Sequence, residues 1–448
     1  MTDAELSQRI AVAVNAVGGV AYYVGGCVRD RLMGRTVKDI DIEVHRVPPQ
    51  TLYEILSRFG TVTENGKSFG IYGIKGHAVD IAIPRREHTF GAGHRDVIID
   101  SDPYIGVYAA CKRRDITMNA IMQNVLTGEL TDCFGGTEDI KNGVIRHISD
   151  AFPEDPLRVY RVAQFAARFG FSVDERTLSL CSGVDLSALP RERVFEETKK
   201  ALLQSDRPSA YFEVLKKIGK LGDSFELIGR LIGVPQDPAF HPEGDVWNHT
   251  MAVLDAAASM RARANEPLPF MLSALLHDVG KPYTTEADGD GRIHSYGHDD
   301  VGTEYAEKAL KKLTDDKTII KYVTDMVRRH MVVYHTIAGG SAVKKINRIF
   351  YDSVCPDDLC LLALCDRAGC GRETEKAGDA LFSALSTFRE YMSRPYVTGN
   401  DLIAAGCKEG TELGERLNYA VKLRLAGIDK VTALKQCLSI RIKGKPRD

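Results

Sequence analysis

At 448 residues the chain has room for roughly three domains. Its 44% hydrophobic and 27% charged content is that of an ordinary globular protein and excludes a disordered, collagenous or coiled-coil chain. A net charge of −2 excludes a non-specific polyanion binder, so any RNA contact must come from a local basic face.

No run approaches the roughly 18 uncharged apolar residues of a membrane span. The opening MTDAELSQRIAVAVNAVGG lacks the basic start of a signal peptide and is expected to form an amphipathic helix in a cytoplasmic protein. AYYVGG, KDIDIEV and HAVDIAI then alternate as half-buried strands do, with a helix over PPQTLYEILSRFG between the last two. After about Ser149 the pattern is helical almost to the end. FPEDPLRVYRVAQFAARFGF is expected to be a helix opened by proline and acidic residues and closed by Gly170. RERVFEETKKALLQ follows Pro190 in the same style, and EADGDGRIHSYGHDD is expected to be a loop. SRPYVTGNDL marks a boundary before a last helical tail. Cys355, Cys360, Cys365 and Cys370 recur at an interval of five. Successive thiols on a helix then turn by about 140° and cannot converge, so they are expected to be reduced helix cysteines.

Two glycines, Gly25 and Gly26, end the first strand and open a helix, where backbone N–H groups and the helix terminus favour a phosphate. Arg29 follows one turn in, placed to pair with a triphosphate. Asp39 and Asp41 alternate on a strand and so share a face. Two such carboxylates repel unless a cation sits between them, and hard oxygen ligands suit Mg²⁺. Asp80, on the next alternating strand, reads equally as a third carboxylate or as a solvated edge aspartate.

GGCVRDRLMGRTVKDIDIEV resembles the first motif of the class II tRNA nucleotidyltransferases, within the polymerase-β-like superfamily. KRRDITMNAI, DCFGGTEDIKNGVIRHI, PEDPLRVYR and ERVFEETKKAL resemble their second to fifth motifs, in order and spacing. The resemblance implies an α/β nucleotidyltransferase head over residues 1–148, a nucleotide-selecting neck over 149–204, a body over 205–240 and helical tail segments over 371–448. It implies template-independent addition of C, C and A to the 3′ end of tRNA from CTP and ATP, with Asp39 and Asp41 holding Mg²⁺. Gly26, Arg29, Arg114 and Arg161 would bind nucleotide, with Asp115 buttressing Arg114. The Glu154-Asp155-x-x-Arg158 motif would read the incoming base: Asp155 accepts from the amino group of cytosine or adenine, and Arg158 donates to the ring nitrogen. Three-residue spacing is expected to place these two on one helix face. Gln164 stands where many members carry arginine. The segment EHTFGAGHRDVIIDSDPYIG matches the family's flexible loop. CC-only and A-only enzymes and poly(A) polymerases share the head motifs and remain alternatives.

His249, His277, Asp278, His298, His330 and Asp366 form a second constellation. An adjacent His-Asp pair in an apolar helix needs a partner for its polar groups, and a divalent metal supplies one. Their order resembles the HD superfamily of metal phosphohydrolases over 241–370. That resemblance implies His249, His277, Asp278 and Asp366 around one metal, with His298 and His330 serving a second metal or the substrate phosphate. Lys281 would pair with phosphate. An RNA-binding head with the HD domain as sole enzyme is the rival from another class. In the tail, Gly410, Leu413, Gly414, Lys422, Arg424, Lys430 and Lys435 resemble the helices that hold the tRNA elbow, or form a solvated helix face. No membrane and no stable protein partner are implied.

Overall fold

The computed structural model describes residues 1–37, 39–64, 70–89, 97–222 and 224–440, with backbone alone at 86–89 and 97–100. The chain divides into two compact units, residues 1–201 with 210–223, and 202–209 with 224–448.

In the first unit, α1 (Asp3–Ala16) is started by Thr2, whose hydroxyl accepts from the Glu5 N–H while the Glu5 carboxylate accepts from the Thr2 N–H. It buries Leu6, Ile10, Ala11 and Val14 against the sheet, as its amphipathic spacing requires. The elements that follow are β1 (Val20–Val24), α2 (Gly26–Leu32), β2 (Ile40–His45), α3 (Pro49–Leu56), β3 (Val62–Glu64), β4 (Ile71–Ile74) and β5 (Val79–Ala82). Then come β6 (Arg85–Thr89), β7 (Val97–Ser101), α4 (Val107–Lys112), β8 (Met122–Asn124), β9 (Leu130–Thr131), α5 (Gly136–Asn142) and α6 (Leu157–Phe169). Seven strands form one sheet in the order β3-β4-β5-β2-β1-β8-β9. The β2–β5 pair is parallel and the others are antiparallel. That parallel pair decides the site, because its register sets Asp41 beside Asp80.

Three expectations need correction. Asp155 does not share a helix face with Arg158: α6 begins at Leu157, and Asp155 is extended at φ −118°, ψ 98°. Pro156 is the cause, since the residue before a proline is driven out of the helical region. The family-type loop includes an antiparallel ribbon, β6 with β7, whose β7 run Val97-Ile98-Ile99 is of β-formers; residues 90–96 lie outside the described residues, as does Lys38 beside Asp39. The expected loop after Thr285 contains a hairpin, Glu286–Ala287 against Ile293–His294, and His298 already begins a helix. Asp288 closes the hairpin by accepting from the N–H groups of Asp290 and Arg292.

The second unit is helical. Val246–Met260, Pro267–Leu276, His298–Lys311, Lys317–Ala338 and Pro356–Gly369 pack around Trp247, Phe270, Leu362 and other fully buried side chains. All ten cysteines are free and most are buried. No helix among the described residues is long and apolar enough to cross a membrane.

Candidate functional sites

Gly25 joins β1 to α2 at φ +67°, ψ −132°, a conformation that disfavours any side chain. A Cβ there would lie 3.2 Å from Arg114 Nη1 and 3.7 Å from Asp41 Oδ2, so the glycine turn, Arg114 and Asp41 meet. Gly26 opens α2 beside the Arg29 guanidinium. Arg29 itself is buried: it donates to Asp30 Oδ1 at 2.8 Å and Asn119 Oδ1 at 2.6 Å, and lies over the rings of Phe165 and Phe169. It therefore braces the turn from behind.

Asp39, Asp41 and Asp80 come together at the edge of this turn. Burial raises the Asp41 carboxyl to about 6; Arg114 opposes the rise, while Asp80 and Asp39 add to it. A carboxylate held up by burial and like charges is a site that a cation completes. The donor set is all oxygen, which fits a hard divalent ion.

Glu43 was not singled out in the sequence, although strand alternation places it on the face of Asp39 and Asp41. It is fully buried, and it accepts from Arg113 Nη2 at 3.2 Å and Arg114 Nη2 at 3.3 Å, with His45 Nε2 at 3.0 Å. Burial opposes its charge, but His45, Arg114 and Arg113 outweigh burial and hold its pKa at about 2. Glu43, rather than Asp115, thus holds Arg114. Glu43→Gln leaves two guanidiniums facing a neutral amide, and by the usual cost of a broken buried pair should lose about 3 kcal/mol in urea unfolding.

Asp115 clamps Arg161, at 2.8 Å from Nε and 2.7 Å from Nη2. It also accepts from Asn119 Nδ2 at 3.0 Å. Burial alone would raise its pKa, yet the Arg161 charge and these hydrogen bonds keep it below the ordinary value. A continuous chain, Arg29–Asn119–Asp115–Arg161–Glu197, so ties α2 to α6 and to the helix Arg191–Gln204. Asn119 and Glu197 carry no sequence signal of this role.

Arg158 is buried and donates to the carbonyls of Ala151, Phe152 and Arg113, the last at 2.7 Å. Asp155 accepts from the Leu157 N–H and from Arg193 Nη2. Gln164 is buried, and its Nε2 has no hydrogen-bond partner among the described residues.

The second site gathers all six expected residues. His277 ends the helix Pro267–Leu276, His249, His330 and Asp366 lie within helices, and His298 starts one. Gly280 permits the close approach: a Cβ there would lie 2.1 Å from the His298 carbonyl oxygen. His277, His298 and His330 each place Nδ1 on a backbone carbonyl, of Ala274, Ser295 and Val327. That contact fixes the Nε2 atoms inward, the arrangement of ligating imidazoles. His249 Nε2 lies 3.2 Å from His277 Nε2 and 3.0 Å from Asp366 Oδ1. His298 Nε2 lies 3.3 Å from His330 Nε2.

Asp278 stands between the two groups. Its Oδ2 is 3.2 Å from His277 Nε2 and 3.6 Å from His249 Nε2, while its Oδ1 is 3.3 Å from His298 Nε2 and 3.8 Å from His330 Nε2. Burial works against its charge, but His277 and Lys281 hold it ionised well below the ordinary range. Two ligand sets, His249–His277–Asp366 and Asp278–His298–His330, thus lie side by side, and their nitrogen and oxygen donors would suit divalent ions. Lys281 is not directed at solvent: its Nζ is 2.7 Å from Asp278 Oδ2 and 2.8 Å from Gln236 Oε1. Glu243, unnoticed in the sequence, accepts from His249 Nδ1 at 2.7 Å. The centre opens into a cavity of about 420 Å³ rimmed by Phe240, Tyr296, Arg367 and Arg372.

Residues 21–146 match the poly A polymerase head domain, and residues 246–367 match the HD domain. The multifunctional CCA protein of Actinobacillus pleuropneumoniae serotype 5b (strain L20) is 38% identical over 325 residues, spanning 70% of this chain and 75% of that protein. That of Halorhodospira halophila (strain DSM 244 / SL1) is 32% identical over 416 residues, spanning 89% of this chain and 94% of that protein. The chain belongs to the multifunctional CCA protein family. The Thermotoga maritima CCA-adding enzyme complexed with tRNA shares the fold, with a TM-score of 0.64 at 19% identity over 97% of this chain and 94% of that one.

Proposed function

We propose that this cytoplasmic member of the multifunctional CCA protein family adds C, C and A to the 3′ end of tRNA from CTP and ATP, and hydrolyses phosphate esters at its HD centre. The observation that carries the first part is the parallel register of Asp41 against Asp80 beside a glycine turn and a buried arginine network. Asp39, Asp41 and Asp80 would hold Mg²⁺, which when bound would supply Lewis acidity toward the ribose hydroxyl and the leaving pyrophosphate. Arg114, fixed by Glu43, and Arg161, fixed by Asp115, present positive charge to the triphosphate, with Arg29 and Gly26 shaping the turn. Asp155 and Arg158, bracketing the entry to α6, supply the acceptor and donor that C and A share on their pairing edges and that G and U lack. The division into head (1–148), neck (149–204), body (205–240), HD domain (241–370) and tRNA-holding tail (371–448) belongs to the same reading.

At the HD centre, His249, His277, Asp278 and Asp366 would hold a divalent ion, and His298 and His330 would serve a second metal or the substrate phosphate. Such an ion supplies Lewis acidity toward a phosphate ester.

Extension of a tRNA lacking CCA, resolved at single nucleotides, tests the transferase. Both nucleotides together should give a product longer by C, C and A, with none from Asp39→Ala/Asp41→Ala. Arrest at CC, or extension only from a CC end, would reassign it as a partial enzyme, and long A tracts would mark a poly(A) polymerase.

A further inference from the structure

Beside His249, at its Nδ1 rather than its Nε2, lies a group that neither ligand set of the HD centre includes. His241 Nδ1 is 2.9 Å from Glu243 Oε1, and Cys370 Sγ is 3.5 Å from His241 Nδ1 and 3.7 Å from His249 Nδ1. The imidazoles of His241 and His249 meet edge to face at 4.9 Å. One nitrogen and one carboxylate oxygen, two residues apart, and one sulfur from 129 residues further along therefore converge within 4.8 Å together with His249.

The spacing is that of metal ligands. Bonds of about 2.3 Å to sulfur and about 2.0 Å to nitrogen at a tetrahedral angle set S···N separations near 3.5 Å. Glu243 adds a second observation. Its Oε1 accepts from both imidazoles, while its Oε2 is buried and has no hydrogen-bond partner among the described residues. An orphaned buried carboxylate oxygen is costly unless a donor or cation meets it. His241, Glu243 and Cys370 lie outside the segment 246–367 that matches the HD domain, and none of them belongs to the two ligand sets of the HD centre. The group borders the cavity above the HD centre, which His241 and Cys370 both line, giving an ion a way in.

We infer that His241, Glu243 and Cys370 form a third transition-metal site, with the mixed S, N and O donors that suit Zn²⁺, abutting the HD centre through His249. On binding, the Cys370 thiol gives up its proton to solvent, the His241 proton moves from Nδ1 to Nε2 by way of solvent so that the Nδ1 lone pair becomes a ligand, and Glu243 serves as the carboxylate donor. His249 keeps its Nδ1 hydrogen bond to Glu243. An ion here sets the charge behind His249 and so the basicity of a ligand at the HD centre.

Cobalt substitution of the chelator-stripped, full-length protein tests this without an activity assay. The HD centre offers only nitrogen and oxygen, so Co²⁺ there gives no sulfur-to-cobalt charge-transfer absorption. Titration of the wild type should produce that near-ultraviolet band, saturating at about one equivalent. Cys370→Ser should abolish it, and elemental analysis should show about one fewer bound Zn²⁺ per chain. His330→Ala removes an HD ligand and tests the HD reading separately: hydrolysis falls while the band remains. A wild type that binds Co²⁺ without the band would overturn the site and leave Glu243 as a brace for His249. A band that survives in Cys370→Ser would overturn it too, by assigning the sulfur to another cysteine. If Cys370→Ser does not fold, His241→Gln serves: a band unchanged in energy and affinity would count against the site.

Discussion

Asp41→Asn is expected to lower nucleotide addition by about a thousandfold or more, equivalent to about 4 kcal/mol of lost charge stabilisation at the reacting phosphate. Asp41 is the half-buried carboxylate of the three, and its exposed register partner Asp80 and exposed neighbour Asp39 cannot reproduce its position from the strand next door or from the residue before β2. The substitution keeps volume and removes a repulsive charge, so the head should fold, and hydrolysis at the HD centre serves as the internal control. The same carboxyl gives a pH signature. Its pKa stands at about 6, above the ordinary 3.8, through burial and its two acidic neighbours. The stability linked to this group is present below the ordinary carboxylate pKa and is lost as pH rises through about 6. A cation offsets that loss where the group is charged. Addition of Mg²⁺ should therefore raise the head's melting temperature more at pH 8 than at pH 5, and the difference should vanish in Asp41→Asn. A variant retaining activity within tenfold, with the same Mg²⁺ response at both pH values, would move the metal to other residues.

What could be read in the chain divides along a physical line. Residues whose partners are set by a local period were legible: Asp39 and Asp41 by strand alternation, and α1 and α6 by their apolar faces. Alternation also pointed to Glu43, but its value depends on Arg113 and Arg114 arriving from 70 and 71 residues away. Asp80 could not be decided because nothing local says that β5 lies beside β2, parallel, with Asp80 opposite Asp41. The break at Asp155 was written in the sequence, in Pro156, and the three-residue spacing masked it. The HD ligands were legible as residue types, whereas the role of Asp278 between two clusters needed five elements to converge. Glu243 sits in the stretch before the helix Val246–Met260, where no periodicity constrains a side chain. The hairpin near Asp288 was hidden because strands of two residues carry no alternation.

Asp278→Asn is the complementary experiment, expected to cost hydrolysis at the HD centre about a thousandfold while leaving nucleotide addition intact. Each Asp278 oxygen faces a different ligand set, so the amide weakens both metals together, whereas His277→Ala or His298→Ala should weaken one more than the other. Elemental analysis of the dialysed protein distinguishes these patterns. The metal-free variant is also informative, since Lys281 would lose its anionic partner at 2.7 Å in a buried place, a change that typically costs about 3 kcal/mol. Acid should act on the metal-free wild type through His330. Burial, helped by His277 and His298, lowers its pKa to about 3, so it stays neutral in the fold. The stability it carries is present above about 6.5, the unfolded histidine value, and is lost as pH falls from there toward 3. Ions bound through its neutral Nε2 should protect against that loss until protons outcompete them. The predicted result is a chelated protein that melts progressively earlier below pH 6.5 and a metal-loaded one that resists over the first part of that range. Identical acid profiles with and without metal would mean that His330 holds no ion, leaving Asp278 to serve the His249–His277–Asp366 set alone.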